Sequence, residues 1–162
     1  MSLELLGEYL PLFARAARLT LWVGLAGVVL STVVGLVCAV VRHFRVPFAR
    51  QLVGFYIEVS RNTPLVVQLF FLYFGLPKIG VVLSSTTCAI VGLTFLGGAY
   101  MAEAFRSGLE AVDSAQTRSA LALGMTRRAA LVYIVLPQGL AQALPAFTAN
   151  VIFLIKETSV VS

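Results

Sequence analysis

The sequence predicts an all-α, polytopic membrane helix bundle, and three observations carry that prediction. Of the 162 residues, 59% are hydrophobic and only 12% are charged, whereas a soluble domain is about a quarter charged. Several apolar runs approach or exceed the roughly 20 residues that cross a bilayer. Arginines gather at the ends of these runs, with no aromatic-and-basic groove pattern, so the net charge of +5 reads as membrane orientation and not as nucleic-acid binding. The length suits one membrane domain, 1–162, with spans at about 12–41, 52–76, 81–104 and 142–160 and a polar, broken region at about 107–140.

The first run, LTLWVGLAGVVLSTVVGLVCAVV at 19–41, is long enough to cross. Gly24, Gly27, Ser31 and Gly35 give it a small-residue face for close packing on another helix. Arg42, His43, Arg45 and Arg50 follow and mark a cytoplasmic end, which puts the N-terminus outside. The opening MSLELLGEYLPLF carries Glu4 and Glu8 where a signal peptide has basic residues, so this first span is expected to stay in the mature protein.

Residues 51–60 read either as an interfacial helix or as the first turns of a kinked second span. RNTP, 61–64, punctuates the chain: Asn62 or Thr63 is expected to cap and Pro64 to open the next helix. Leu65 to Leu76 is too short to cross by itself, and PKIG, 77–80, is a turn on the outside. The third span, from Val81, is followed by Glu103 and Arg106 on one helical face, a modest structural pair. From 107 to 145, polar residues, Gly and Pro keep the chain out of lipid. Pro145 then begins the last apolar run, which ends near Lys156 and Glu157. This topology puts Arg42, Arg45, Arg50, Arg61, Arg106, Arg118, Arg127 and Arg128 inside, against Arg15, Arg18 and Lys78 outside, the bias the positive-inside rule requires.

The stretch RSALALGMTRRAALVYIVLPQGL, 118–140, predicts a short helix, a sharp bend and a second helix. Gly124 suits the left-handed turn at a helix C-terminus. Thr126 is placed to cap a new helix that runs until Pro137. The apolar flank of the short helix either lies on lipid headgroups or docks in a groove on a soluble partner, and spacing alone leaves both readings open.

Catalytic and metal chemistry find no support. Cys38 and Cys88 lie in apolar runs without a partner spacing, and His43 is a single histidine in a basic interfacial segment. No catalytic residue and no metal ligand is assigned. Lys156 and Glu157 read either as pathway groups facing a zwitterionic substrate or as a helix-end pair snorkelling to the interface. Gln68 and Asn150 sit in spans, where an amide packs against a neighbouring helix or lines a pathway. Phe70, Phe71, Tyr73 and Phe74 read as lipid-facing.

Several segments together resemble the membrane-spanning permease subunits of bacterial ABC importers, in the polar amino acid uptake branch (histidine/glutamine permease-like). The family's cytoplasmic signature runs Glu-Ala-Ala, three residues, Gly, nine residues, Ile-x-Leu-Pro. Gly124, Ile134, Leu136 and Pro137 match it, while Arg118 and Ser119 stand where Glu and Ala are usual and Ala120 matches. RNTPLVVQ (61–68), AYMAEAFRSG (99–108) and KETS (156–159) resemble further segments of the branch.

The resemblance implies a type I importer permease fold, with about four of the family's five spans in these 162 residues, in the bacterial inner membrane. It implies a second permease subunit, identical or paralogous, two separate ABC ATPase subunits, a periplasmic or lipid-tethered amino acid-binding protein, and membrane lipid around the spans. No cofactor is implied for this chain: ATP and Mg2+ belong to the ATPase, in agreement with the lack of a GxxxxGK[ST] loop. The ATPase-coupling residues are then Arg118, Ser119, Ala120, Leu121, Ala122, Leu123, Gly124, Met125, Thr126, Arg127, Ile134, Leu136 and Pro137. The pathway or gate residues are Arg61, Asn62, Thr63, Pro64, Gln68, Glu103, Asn150, Lys156, Glu157, Thr158 and Ser159. Arg118 departs from the pattern, which leaves a non-transporting membrane scaffold as the alternative.

Overall fold

A computed structural model describes residues 3–43 and 47–161, with side chains for 9–42 and 48–161. The expectations placed on Glu4, Glu8, His43 and Arg45 concern side chains outside these ranges. The described residues form helices and turns without a strand. In order they are α1 (Leu3–His43), α2 (Pro47–Asn62), α3 (Leu65–Phe70), α4 (Ser85–Glu110), α5 (Ser114–Ala122), α6 (Arg127–Ala130) and α7 (Leu136–Glu157). A π turn at Phe71–Gly75 and a 3-10 turn at Leu76–Ile79 extend α3; a π turn at Leu131–Val135 joins α6 to α7.

Three helical stretches are long and apolar enough to cross a membrane: Tyr9–Arg42, Ser85–Glu110 and Arg127–Val160. The kink expected within 52–76 is a full break between two helices. α2 stops at Asn62, Pro64 holds φ −57° and ψ 143°, and the apolar helix restarts at Leu65. The residue before a proline is pushed out of the helical region and the proline has no N–H to donate, so the ladder breaks there.

The bundle is organised around α4. Gly27 lies against Leu93 and Gly35 against Met101 and Ala102, while Arg42 pairs with Glu103. Residue numbers rise together along this contact, so α1 and α4 run parallel. The small-residue face expected on α1 is the face used. Ser31 is fully buried and its hydroxyl donates to the Leu93 carbonyl at 3.2 Å, which satisfies a polar group that burial would otherwise penalise. α7 packs on α4 antiparallel: Leu154 reaches Gly97, Ala143 reaches Gly108, and Gly139 meets Leu109. Leu93, Leu96, Met101 and Leu154 fill the core between these three helices. Large apolar side chains such as Trp22, Leu25, Phe55 and Phe71 point outward, the pattern of a bundle solvated by lipid.

Pro137 does not end the second helix of the 118–140 stretch, contrary to the sequence expectation. α6, the π turn and α7 form one continuous helical path through it. In the π turn the Leu136 N–H donates to the Leu131 carbonyl, five residues back. This wider turn relieves the clash a proline makes with the carbonyl four residues before it.

Candidate functional site

The 107–140 region folds as a corner built from local signals. Asp113 caps α5, its carboxylate accepting from the Ala115 N–H at 2.8 Å. At the other end Gly124 takes φ +84°. The Gly124 N–H donates to Leu121 and the Met125 N–H to Ala120, the paired bonds of a Schellman motif, which needs a left-handed residue at that position. Thr126 then caps α6, its hydroxyl accepting from the Ala129 N–H at 3.2 Å. Both the glycine stop and the threonine cap stand as the sequence indicates; the Asp113 cap escaped notice, although an Asp before Ser-Ala-Gln is an ordinary N-terminal signal.

Side chains on this corner divide sharply. Ala120 is buried, Met125 is half-buried, and Ile134 and Leu136 are half-buried on the far limb. Ser119, Ala122, Arg127 and Pro137 are exposed. Leu123 is 84% exposed and Leu121 is 37% exposed, so the tip carries apolar surface that the described residues do not cover. Arg118 is exposed and donates to the Ser114 hydroxyl one turn back, at 3.0 Å. Behind the tip a groove of about 650 Å³ runs between the ends of α4, α5 and α6, lined by Leu109, Leu121, Arg127, Arg128 and Leu131 among others.

The expected pathway residues do not come together. Arg61, Asn62 and Glu103 line one cavity of about 550 Å³ with Arg42, Glu58 and Tyr100. Glu103 holds two arginines, Arg42 at 2.5 Å and Arg106 at 2.7 Å, and Arg106 continues to Glu110 at 2.5 Å. The guanidinium of Arg61 lies over the Tyr100 ring, 5.2 Å from its centroid. Lys156, Glu157, Thr158 and Ser159 are at the other end of α7. There Thr158 lines a separate cavity of about 370 Å³ with Leu19, Val23, Ser85 and Ala89, and Ser159 donates to the Lys156 carbonyl at 2.7 Å.

Between these ends the amides serve the backbone. Gln68 is buried, and its Nε2 donates to the carbonyls of Ser60 at 3.1 Å and Thr63 at 3.0 Å. It thus staples the break in front of Pro64. Asn62 and Thr63 do not cap α3: they donate backward, to the carbonyls of Glu58 and Val59, both at 2.8 Å. A helix end leaves its last carbonyls unpaired, and these side chains meet that demand first. Asn150 ties α7 to α4 through the Tyr100 carbonyl at 3.1 Å. Sequence reasoning missed Arg42, Glu58 and Tyr100 as cavity residues. The Glu58–Arg61 spacing of three on one helix was a legible signal, but Arg42 and Tyr100 arrive only through tertiary packing.

Comparison with known proteins places this geometry. The family described as "Binding-protein-dependent transport system inner membrane component" matches residues 31–162. The chain is 38% identical over 152 residues to the probable amino-acid permease protein YxeN of Bacillus subtilis (strain 168), covering 92% of this chain and 68% of that protein. It is 34% identical to the glutamine transport system permease protein GlnP of Escherichia coli (strain K12), covering 93% and 69%. Among solved structures it is similar to an amino acid ABC transporter crystallised with histidines, at 33% identity with a TM-score of 0.91, covering 99% of this chain and 75% of that one. The MetNI methionine ABC transporter, at 21% identity and a TM-score of 0.75, shares the fold.

Proposed function

The chain belongs to the family of inner membrane components of binding-protein-dependent transport systems, and from that premise we propose that it is a membrane-spanning subunit of an ATP-driven amino acid importer. It works beside a second permease subunit, identical or paralogous, above two ABC ATPase subunits, and receives substrate from a periplasmic or lipid-tethered binding protein. Its N-terminus lies outside, and the Arg42–Glu103 end of the bundle faces the cytoplasm.

The observation that carries this reading is the uncovered apolar tip of the 114–126 corner. Leu121 and Leu123 project next to a glycine whose backbone conformation fixes the bend. A helix of this size set in a groove on a partner is a common docking mode. Closure of the ATPase dimer moves the seated helix, and the motion passes to α4 and α7, which the corner joins. Rocking of those helices alternates access between the two sides. Arg127 supplies rim charge, and Ile134, Leu136 and Pro137 carry the motion into α7. Arg61, Asn62, Thr63, Pro64, Gln68, Glu103 and Asn150 shape the inner part of the path; Lys156, Glu157, Thr158 and Ser159 shape its outer gate.

The test is ATP-dependent uptake of each labelled amino acid into vesicles that hold the whole complex. Gly124→Asp, at a left-handed position, is expected to leave basal ATP hydrolysis and abolish uptake. Uptake at the wild-type rate in that variant would falsify the docking role, and no uptake of any amino acid by the wild type would remove the transport assignment.

A further inference from the structure

The groove behind the 114–126 corner is basic at its rim and apolar along its lining. Arg127 and Arg128 open α6 and line it beside the hydroxyl residues Ser114 and Thr117. Leu109, Leu131 and Val135 line it too, all half-buried. The chain leaves the two arginines without an acid to answer them. It has seven acids. Glu4, Glu8 and Glu157 lie toward the other end of the bundle, at the start of α1 and the end of α7, and Glu58 and Glu103 line the cavity between α1, α2 and α4. Only Glu110 and Asp113 belong to the corner. Glu110 is held by Arg106 at 2.5 Å, and Asp113 accepts from the Ala115 N–H. Residues 43–46, His-Phe-Arg-Val, carry no acid, so no side chain outside the described ranges at this end of the bundle neutralises the pair.

The groove also sits at a definite depth. Directly after Arg128 the chain turns apolar, Ala-Ala-Leu-Val-Tyr-Ile-Val-Leu, and this stretch opens one of the three helices that can cross a membrane. Val132 and Tyr133 point outward, Tyr133 with 72% of its surface exposed. A tyrosine between a basic pair and an apolar run marks the level where headgroups meet hydrocarbon. We propose that the groove is a binding site for one anionic phospholipid. Arg127 and Arg128 take its phosphate, and one acyl chain lies along Leu109, Leu131 and Val135. Basic pockets between spanning helices suit anionic headgroups, and a guanidinium fork matches phosphate oxygens with paired hydrogen bonds.

Size and lining choose the lipid over a soluble phosphate. A volume of about 650 Å³ lies in the range of small-molecule sites and exceeds what a phosphate group fills. A soluble phosphate would leave the three apolar side chains wet, whereas a lipid answers the charge and covers them as well. Glu110 also lines the groove, and its bond to Arg106 offsets its repulsion of a phosphate. The inference goes beyond the importer reading and stands without it. A lipid seated here fills the space between the end of α4 and the limb that leads into α7, and so braces the corner that joins them.

The experiment uses the complete protein, with the subunits that copurify with it, in phosphatidylcholine nanodiscs. A trace of phosphatidylglycerol carrying a diazirine in its acyl chain is photoactivated, and the labelled peptides are mapped by mass spectrometry. Labelling is expected at 107–112, on the α4 side of the groove. It should exceed that from the same probe with a choline headgroup by about twenty-fold, at roughly five-fold for each arginine. The outward face of α1, at Trp22 and Leu25, should show no such preference. Arg127→Gln with Arg128→Gln should bring the 107–112 labelling down to the choline level and leave α1 unchanged, while the matching pair of lysine substitutions keeps a preference. Val135→Trp fills the groove with both charges in place and should remove the labelling. An excess of glycerol 1-phosphate should not compete. The proposal is overturned if neither probe labels 107–112, if both label it equally, or if the glutamine pair keeps the preference. Competition by glycerol 1-phosphate overturns it in favour of a soluble phosphate ester, and labelling that appears only once the copurifying subunits are stripped away overturns it in favour of a protein partner.

Discussion

Two of the chain's four Leu-Pro steps begin alike and end differently. At Leu76-Pro77 and at Leu136-Pro137 a five-residue π turn precedes the leucine, whose N–H donates five residues back, to Phe71 and to Leu131. After Pro77 the helix lasts two more residues. Gly80 then turns at φ +87°, with the Gly80 N–H on Pro77 and the Val81 N–H on Leu76. After Pro137 the helix continues to Glu157. The proline is thus not the stop signal, and α7 also runs through Leu144-Pro145 without a π turn. The outcome depends on the packing of the residues beyond each proline. Lys78, Ile79 and Gly80 are exposed and pack on nothing that holds a helix, whereas Gly139 and Ala143 are buried against α4.

If packing on α4 is what carries the helix past Pro137, removing the close approach should hurt most. A side chain at Gly108 meets Ala143 Cβ at 2.6 Å and the Ala143 nitrogen at 2.7 Å. Gly108→Val is expected to cost about 3 kcal/mol, the upper end of overpacking penalties, read as lost folded protein in size-exclusion traces from membranes. A normal trace would mean that α7 does not depend on this contact.

The first segment should be vulnerable at its start. Gln68→Leu leaves the Ser60 and Thr63 carbonyls without their donor, at a cost of about 1–3 kcal/mol. The apparent melting temperature in nanodiscs measures it, and an unchanged value would show that the break at Pro64 holds without its staple.

Next come the two left-handed glycines, Gly80 and Gly124, around which a Cβ meets nothing within 4 Å. Alanine at either position should cost about 1–2 kcal/mol of conformational strain, equally in both. The difference should appear in function, with Gly124→Ala lowering uptake per ATP hydrolysed and Gly80→Ala sparing it. The smallest effect belongs to the prolines. Pro77→Ala and Pro137→Ala should shift the melting temperature little and slow amide exchange at 71–77 and 131–137, as π turns tighten to α. Unchanged exchange would show that the prolines do not hold the turns open.

These segments also mark what the chain reveals about itself. The Gly124–Thr126 corner was legible because all of its bonds span five residues or fewer. The glycine face of α1 was legible as a face, but its partner was not, since nothing in 19–41 names Leu93 or Met101. Pro137 misled for the same reason: its continuation rests on Gly139 meeting Leu109, some 30 residues away. Asn62 and Thr63 were expected to cap α3 and instead donate one turn back into α2, because a side chain at a break can serve either end. The candidate pathway scattered because its matches were read along the chain, whereas Glu103 gains its second arginine from 61 residues away.

The 113–126 corner has a mechanical consequence. α5 is closed at its start by Asp113 and at its end by the Gly124 and Met125 bonds, and the next limb is closed at once by Thr126. Capping bonds of this kind oppose fraying at both joints. Under the proposed docking, a push on Leu121 or Leu123 is expected to move the limbs on both sides together, as a crank moves its shaft.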